Sequence, residues 1–164
     1  MINEKLNLSK SIQNVAREIS NILSDCTPSI YLYGSLVLND FQLGWSDIDL
    51  LVLTKKSISQ NQAEMLLMLR QNLHKNEPDN SYYRCFEGAI LSLSAFTEKM
   101  PDIIVYWGSR GESITDSYMF NSLSLLTLLE HGIILCGDDV RQNFKKPDFT
   151  QLLSDIEEHY YSIR

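Results

Sequence analysis

Two short apolar runs in this chain carry their polar residues where a strand would begin or end. Tyr31-Leu32-Tyr33 runs into Gly34-Ser35, and eleven residues later Asp47-Ile48-Asp49 opens onto Leu50-Leu51-Val52. Runs of this length, bounded by Gly, Asn and Asp, predict strands over 29–34 and 47–54. Side chains at i and i+2 of a strand share a face, with Cα atoms roughly 6.5–7 Å apart. Asp47 and Asp49 are therefore expected on one face, with Ile48 and Leu50 turned to the core. Two carboxylates so placed can bridge a pair of Mg²⁺ ions about 3.5–4 Å apart. Without cations, two like charges held together in a fold are costly. Gly34-Ser35 supplies the complement: a glycine lets the backbone approach a phosphate, and amides and a hydroxyl can donate to its oxygens. The pattern predicts a cradle for a metal-bound triphosphate, with Asp47 and Asp49 as metal ligands and Gly34 and Ser35 at the phosphates.

The rest of the chain reads as helices and strands around that pair. Leu8, Ile12, Val15, Ile19, Ile22 and Leu23 follow one helical face, which predicts a helix over 6–24. Asp25 to Pro28 breaks it. Ser59-Gln60-Asn61-Gln62 fits a capping box, with Ala63, Leu66, Leu67, Leu69 and Leu73 as the buried side of the helix that follows. A polar loop is expected from His74 to Ser81. Residues 84–96 form a long β-prone stretch, 101–107 a further strand turned by Gly108 and Gly111, and 116–131 a leucine-rich helix stopped by Gly132. Ile133–Cys136 reads as a last strand. A final amphipathic helix over 149–163 presents Phe149, Leu152, Leu153, Ile156, Tyr160 and Ile163 on one side. The order αββαββαβα predicts one α/β or α+β domain over 1–164, a mixed sheet flanked by helices.

Composition narrows the chemistry. The 164 residues carry a net charge of -7, which argues against a binder of long nucleic acid, since that task rewards clustered Lys and Arg. An acidic surface suits a small cationic molecule, or an anion masked by metal. No apolar run reaches the ~18–20 residues of a membrane span. The opening Met1-Ile2-Asn3-Glu4-Lys5 is polar, so no membrane or secretory role is expected and a cytoplasmic location is. Cys26, Cys85 and Cys136 are odd in number and widely spaced, which argues against a disulfide framework or a structural zinc site. Cys85 and Cys136 are expected as buried free thiols in apolar strands.

Gly-Ser followed by Asp-x-Asp resembles the DNA polymerase β-like nucleotidyltransferase superfamily. Within it, Tyr31–Ser35 with Trp45-Ser46-Asp47-Ile48-Asp49-Leu50-Leu51-Val52 is similar to the adenylyltransferases that modify streptomycin and spectinomycin. Leu128-Leu129-Glu130-His131-Gly132-Ile133-Ile134-Leu135-Cys136-Gly137 resembles the segment that closes their nucleotidyltransferase domain, so the likeness covers about residues 29–140. The eleven-residue gap is one longer than that family's spacing. The resemblance implies the polymerase β-like fold, and the helical second domain of those enzymes has no counterpart in the 164 residues.

The resemblance also implies a third carboxylate, as metal ligand or general base, on a neighbouring strand. Glu87, a lone charge in Cys85-Phe86-Glu87-Gly88-Ala89-Ile90-Leu91, is the better candidate; Asp102, opening Asp-Ile-Ile-Val-Tyr, is the other. The expected catalytic set is Asp47, Asp49 and Glu87. The expected reaction is Mg-dependent transfer of AMP from ATP to a hydroxyl of a small acceptor, an aminoglycoside in the antibiotic-resistance reading. The competing expectations are a minimal nucleotidyltransferase that acts as an antitoxin, pairing with or adenylylating a helical protein partner, and a nucleotide-binding remnant. The resemblance implies an acceptor held in a cleft between two domains, and a homodimer or such a helical partner would supply the second wall of that cleft. Tyr82, Tyr83, Tyr106 and Trp107 read as core, Trp45 as an aromatic near the nucleotide, and Arg110, His74 and His131 as solvated.

Overall fold

The computed structural model describes residues 2–162. It contains five α-helices, α1 (Ile2–Ile22), α2 (Gln60–Asn76), α3 (Leu93–Glu98), α4 (Ser122–His131) and α5 (Phe149–Ser162). Its six strands are β1 (Pro28–Tyr33), β2 (Ile48–Thr54), β3 (Phe86–Ser92), β4 (Ile104–Gly108), β5 (Gly111–Thr115) and β6 (Ile133–Cys136). They form one sheet in the order β5-β4-β3-β2-β1-β6. Only β2 and β3 run parallel, joined across one face by α2, and every other neighbouring pair is antiparallel. The mixed sheet flanked by helices is the expected architecture.

Alternation along the strands divides the core in two. Ile30, Leu32, Ile48, Leu50, Val52, Phe86, Ile90, Val105 and Trp107 pack under α1 and α2, against Ile12, Val15, Ile19, Ala63 and Leu66. Tyr31, Tyr33, Leu51, Leu53, Ala89, Leu91 and Ile104 face the other way, onto Ala95 of α3 and Leu128 of α4. The capping box at α2 is present as expected: the Ser59 side chain accepts from the Gln62 amide, and the Gln62 side chain accepts from the Ser59 amide. The buried Trp107 indole donates to the Leu66 carbonyl at 3.0 Å, which ties β4 to α2.

Several expected boundaries change. The stretch over 84–96 is not all strand. β3 ends at Ser92, whose hydroxyl accepts from the Ala95 amide and starts α3. Before it, Ser81–Arg84 is a 3-10 turn, and α2 runs through His74 to Asn76. The helix expected from 116 begins only at Ser122, because Asn121 caps it by accepting from the Ser124 amide. β5 was not expected as a strand. Cys26 is the buried thiol, whereas Cys85 and Cys136 are half-buried; all three are free. The apolar side of α5 is not covered by the sheet: Phe149, Leu153 and Ile156 are exposed, and the helix is tied to α4 by Asp155, which accepts from the Ser122 amide at 2.7 Å. Ile163, Arg164 and the side chain of Tyr160 lie outside the described residues. No described helix is long and apolar enough to cross a membrane.

Candidate active site

The sheet topology brings four strand ends together. β1 leaves the sheet at Gly34-Ser35 beside the point where β2 enters it after Asp47, because the two strands are antiparallel. β3 runs parallel to β2, so Glu87 enters at the same end. In the register Tyr33 pairs with Asp49, and Asp49 pairs with Glu87. Strand parity puts Asp49 and Glu87 on the face of Tyr31, Tyr33 and Leu51, away from α1 and α2. β4 returns antiparallel to β3 and places Tyr106 opposite Ala89 on that face. The Tyr106 hydroxyl donates to Glu87 Oε1 at 2.6 Å.

Two glycines make this convergence possible. Gly34 has φ +70°, and a Cβ added there would lie 1.9 Å from Asp49 Oδ2, so the Asp49 carboxyl rests on the bare Gly34 backbone. Gly88, next to Glu87, has φ +148°, and its Cβ would lie 1.8 Å from the Leu50 carbonyl oxygen. Any other residue at either place is both strained and obstructed.

The closeness of the acids governs their ionisation. Burial, then the charges of Glu87 and Asp47, push the Asp49 carboxyl up to about 7. Glu87 is also raised, mainly by burial; the Tyr106 hydrogen bond opposes the shift, and the charge and hydrogen-bond contact of Asp47 add to it. Tyr33 is raised by burial first, then by Tyr118 and the neighbouring acids, and Tyr106 by burial and then by its contact with Glu87. Tyr118, hydrogen-bonded to Tyr33, is pushed up to about 12 by burial and by the charge of Glu87. Tyr118 and Phe120, in the segment before α4, stack beside Tyr106 and Tyr33 with ring centroids 5.6 and 5.1 Å apart. Against this, the charge of Arg70 lowers Glu87 only as the last of its causes, and no cation is among the groups that shift Asp49; such acids ionise more readily once a cation arrives. An all-oxygen donor set also suits Mg²⁺. Among the described residues no three His, Cys, Asp or Glu side chains are drawn into a ready coordination cluster. The cavity of about 530 Å³ lies elsewhere, lined by Asn7, Asn76, Glu77 and Asn80 among others.

The remaining candidates separate cleanly. Asp102 precedes the opposite end of β4 from Tyr106. Its Oδ1 accepts from the Ile103 amide at 2.8 Å, and its Oδ2 is buried with no partner among the described residues. Trp45 is 91% exposed on the loop before Asp47. Tyr82, Tyr83 and Trp107 are core, as expected. Arg110 is exposed in the β4–β5 turn, and half-buried His74 accepts from Arg84 Nε at 2.8 Å. Tyr106, read as core from the sequence, is instead half-buried with its hydroxyl on Glu87, and Arg70 is a residue the sequence reading does not single out. Arg70, on the far side of the sheet, donates from Nη1 to the Phe86 carbonyl at 2.7 Å and from Nη2 to the Gly108 carbonyl at 3.0 Å. Alternation gives the face of Tyr106, but its register against Glu87 is a tertiary property.

Residues 12–95 match the family described as the nucleotidyltransferase domain. Among solved structures, spectinomycin adenyltransferase AAD(9) from Enterococcus faecialis, crystallised with ATP and spectinomycin, is similar at a TM-score of 0.60 and 18% identity. The match covers 85% of this chain and 60% of that one, so the chain spans less than two thirds of its length. A toxin–antitoxin structure with AMP-PNP aligns at a TM-score of 0.40 and 16% identity, covering 91% of this chain and 87% of that one. No curated protein sequence matches.

Proposed function

The chain belongs to the nucleotidyltransferase domain family, and from that premise we propose that it transfers AMP from Mg-ATP to a hydroxyl of a small acceptor. In this reading Asp47 and Asp49 hold the metal, Gly34 and Ser35 hold the triphosphate, and Glu87, the third carboxylate, serves as the base that takes the proton of the acceptor hydroxyl. Bound Mg²⁺ would supply the positive charge that offsets charge developing on the phosphoryl oxygens. The new bond joins the acceptor oxygen to the α-phosphorus, and pyrophosphate leaves.

The observation that carries the reading is the Asp49 carboxyl seated on Gly34 with Glu87 beside it in register. The phosphate-approach glycine, a metal-binding acid and a base candidate thus share one strand end. The net charge of -7 favours a cationic acceptor such as an aminoglycoside. Pyrophosphate release, followed with each Mg-NTP against streptomycin, spectinomycin and other polyols, tests it. ATP-specific release that needs Mg²⁺ and disappears in D49N is expected. Release that persists in D49N would overturn the assignment.

A second reading has its own observation. Exposed Phe149, Leu153 and Ile156 on α5 favour a protein surface pressed there, from a second copy or a helical partner that the domain pairs with or adenylylates. Light scattering of the purified chain separates the two copies from the monomer. A monomer that turns over a small acceptor rapidly rejects the need for a second wall.

A further inference from the structure

We propose that Tyr106 is the positioning residue for Glu87, and that Arg70 fixes from behind the two strands on which their contact depends. The inference rests on the reading of Glu87 as the base. Glu87 stands between two neighbours, the Tyr106 hydroxyl at 2.6 Å and the Asp47 carboxyl. The two contacts differ in kind. Carboxyl to carboxyl requires a shared proton, so that contact weakens once both acids ionise. A phenol is a donor, and 2.6 Å is the length of a charge-assisted O–H···O⁻ bond. With Tyr106 on Oε1, the carboxylate is held in one rotation and Oε2 is left for an incoming proton.

The ring that delivers the hydroxyl cannot swing freely. It lies 5.6 Å from the Tyr118 ring, and its backbone is paired with Ala89. On the opposite face a single guanidinium spans both strands. Arg70 bonds the carbonyl of Phe86, the residue before Glu87, and the carbonyl of Gly108, two residues after Tyr106. Arg70 is itself held by Glu112 at 2.5 Å, with both side chains nearly buried. Arg70 therefore sets the spacing of β3 and β4 at the place where Tyr106 must reach Glu87. Misplacing a reacting group by about an ångström can lower a rate roughly a hundredfold, so a fixed base is worth this much structure.

Y106F removes the hydroxyl and keeps the ring. With the acceptor that scores best in the pyrophosphate assay, the variant is expected to bind Mg-ATP within about twofold of the parent while kcat falls roughly ten- to a hundredfold. Unchanged kcat overturns the proposal. So does a loss of Mg-ATP affinity in step with kcat, because that is the signature of a merely structural role. A second measurement needs no turnover. In protein labelled with ¹³C-glutamate, the Glu87 carboxyl resonance, assigned by its loss in E87Q, is expected to move in Y106F more than that of any other glutamate. A resonance that stays in place overturns the contact. If the parent releases no pyrophosphate with any acceptor, the base assignment fails on its own, and the resonance still decides whether Tyr106 holds Glu87.

Discussion

The two faces of the sheet each hold acids away from bulk water, and they treat them in opposite ways. Under α2, Glu112 meets Arg70 and Gln71. Burial alone would raise its carboxyl, but the hydrogen bonds from Gln71 and Arg70 and the charge of Arg70 hold it below the usual range. On the other face, Asp49 and Glu87 meet each other, Asp47 and tyrosines, and both are raised. The first acid has its cation built into the chain. In the second group the charge of Arg70 lowers Glu87 only as the last of its causes, and no cation is among the groups that shift Asp49, so both acids stay raised. A folded domain keeps such an imbalance where ligand chemistry repays it.

Breaking each side should give opposite results, and the largest effect belongs to the chemistry. E87Q is expected to keep Mg-ATP binding and lose transfer by about 10²–10⁴-fold, since the amide cannot accept the proton. Equal transfer in E87Q would place the base elsewhere. Next in size is R70M, which leaves Glu112 buried without its cation. A loss of about 3 kcal/mol, or roughly 6–12 °C in unfolding temperature, is expected. A neutral R70M would show the pair to be dispensable. Smaller, and of the other sign, is D49N in metal-free protein, where relief of repulsion should raise the unfolding temperature by roughly 2–4 °C.

The pH dependence sharpens the contrast. Asp49 is raised from 3.8 to about 7, so the native state binds the extra proton. Its stability contribution is complete below about pH 4 and is lost as pH rises through 7. Glu112 is lowered, so its contribution is present above the unfolded value and is lost as pH falls through the folded one. Thermal melts from pH 3 to 9 should therefore flatten between about pH 4 and 7 in D49N and below about pH 4.5 in E112Q. Identical curves for the two variants would remove the distinction between the faces.

Much of this arrangement is legible in the amino-acid sequence. Alternation in Asp47–Thr54 gave the strand and its two faces, and Ser59 with Gln62 announced α2. Local physics decides both. The hidden parts share a cause. β5 is an edge strand, Gly-Glu-Ser-Ile-Thr, with little apolar face to betray it. α3 follows β3 without any change in hydrophobicity, and periodicity cannot divide a short apolar helix from an apolar strand. The segment 116–121 looked helical by composition, yet the cap that matters is Asn121. The pairing of Glu87 with Tyr106, and the grip of Arg70 on both their strands, depend on register between segments distant in sequence, which no local pattern encodes.

Gly88 has a consequence for how damage to this domain would be interpreted. It bears no side chain and touches no substrate in any step above, yet a Cβ there would collide with the Leu50 carbonyl on the strand that carries Asp49. Substitution must push β2 and β3 apart at their shared entrance. In a survey of variants scored only by activity, position 88 would rank with the acids and pass for part of the chemistry. Scored by how much folded protein accumulates in the cell, it would fall away from them, because a lost carboxylate leaves the fold standing and a displaced strand does not.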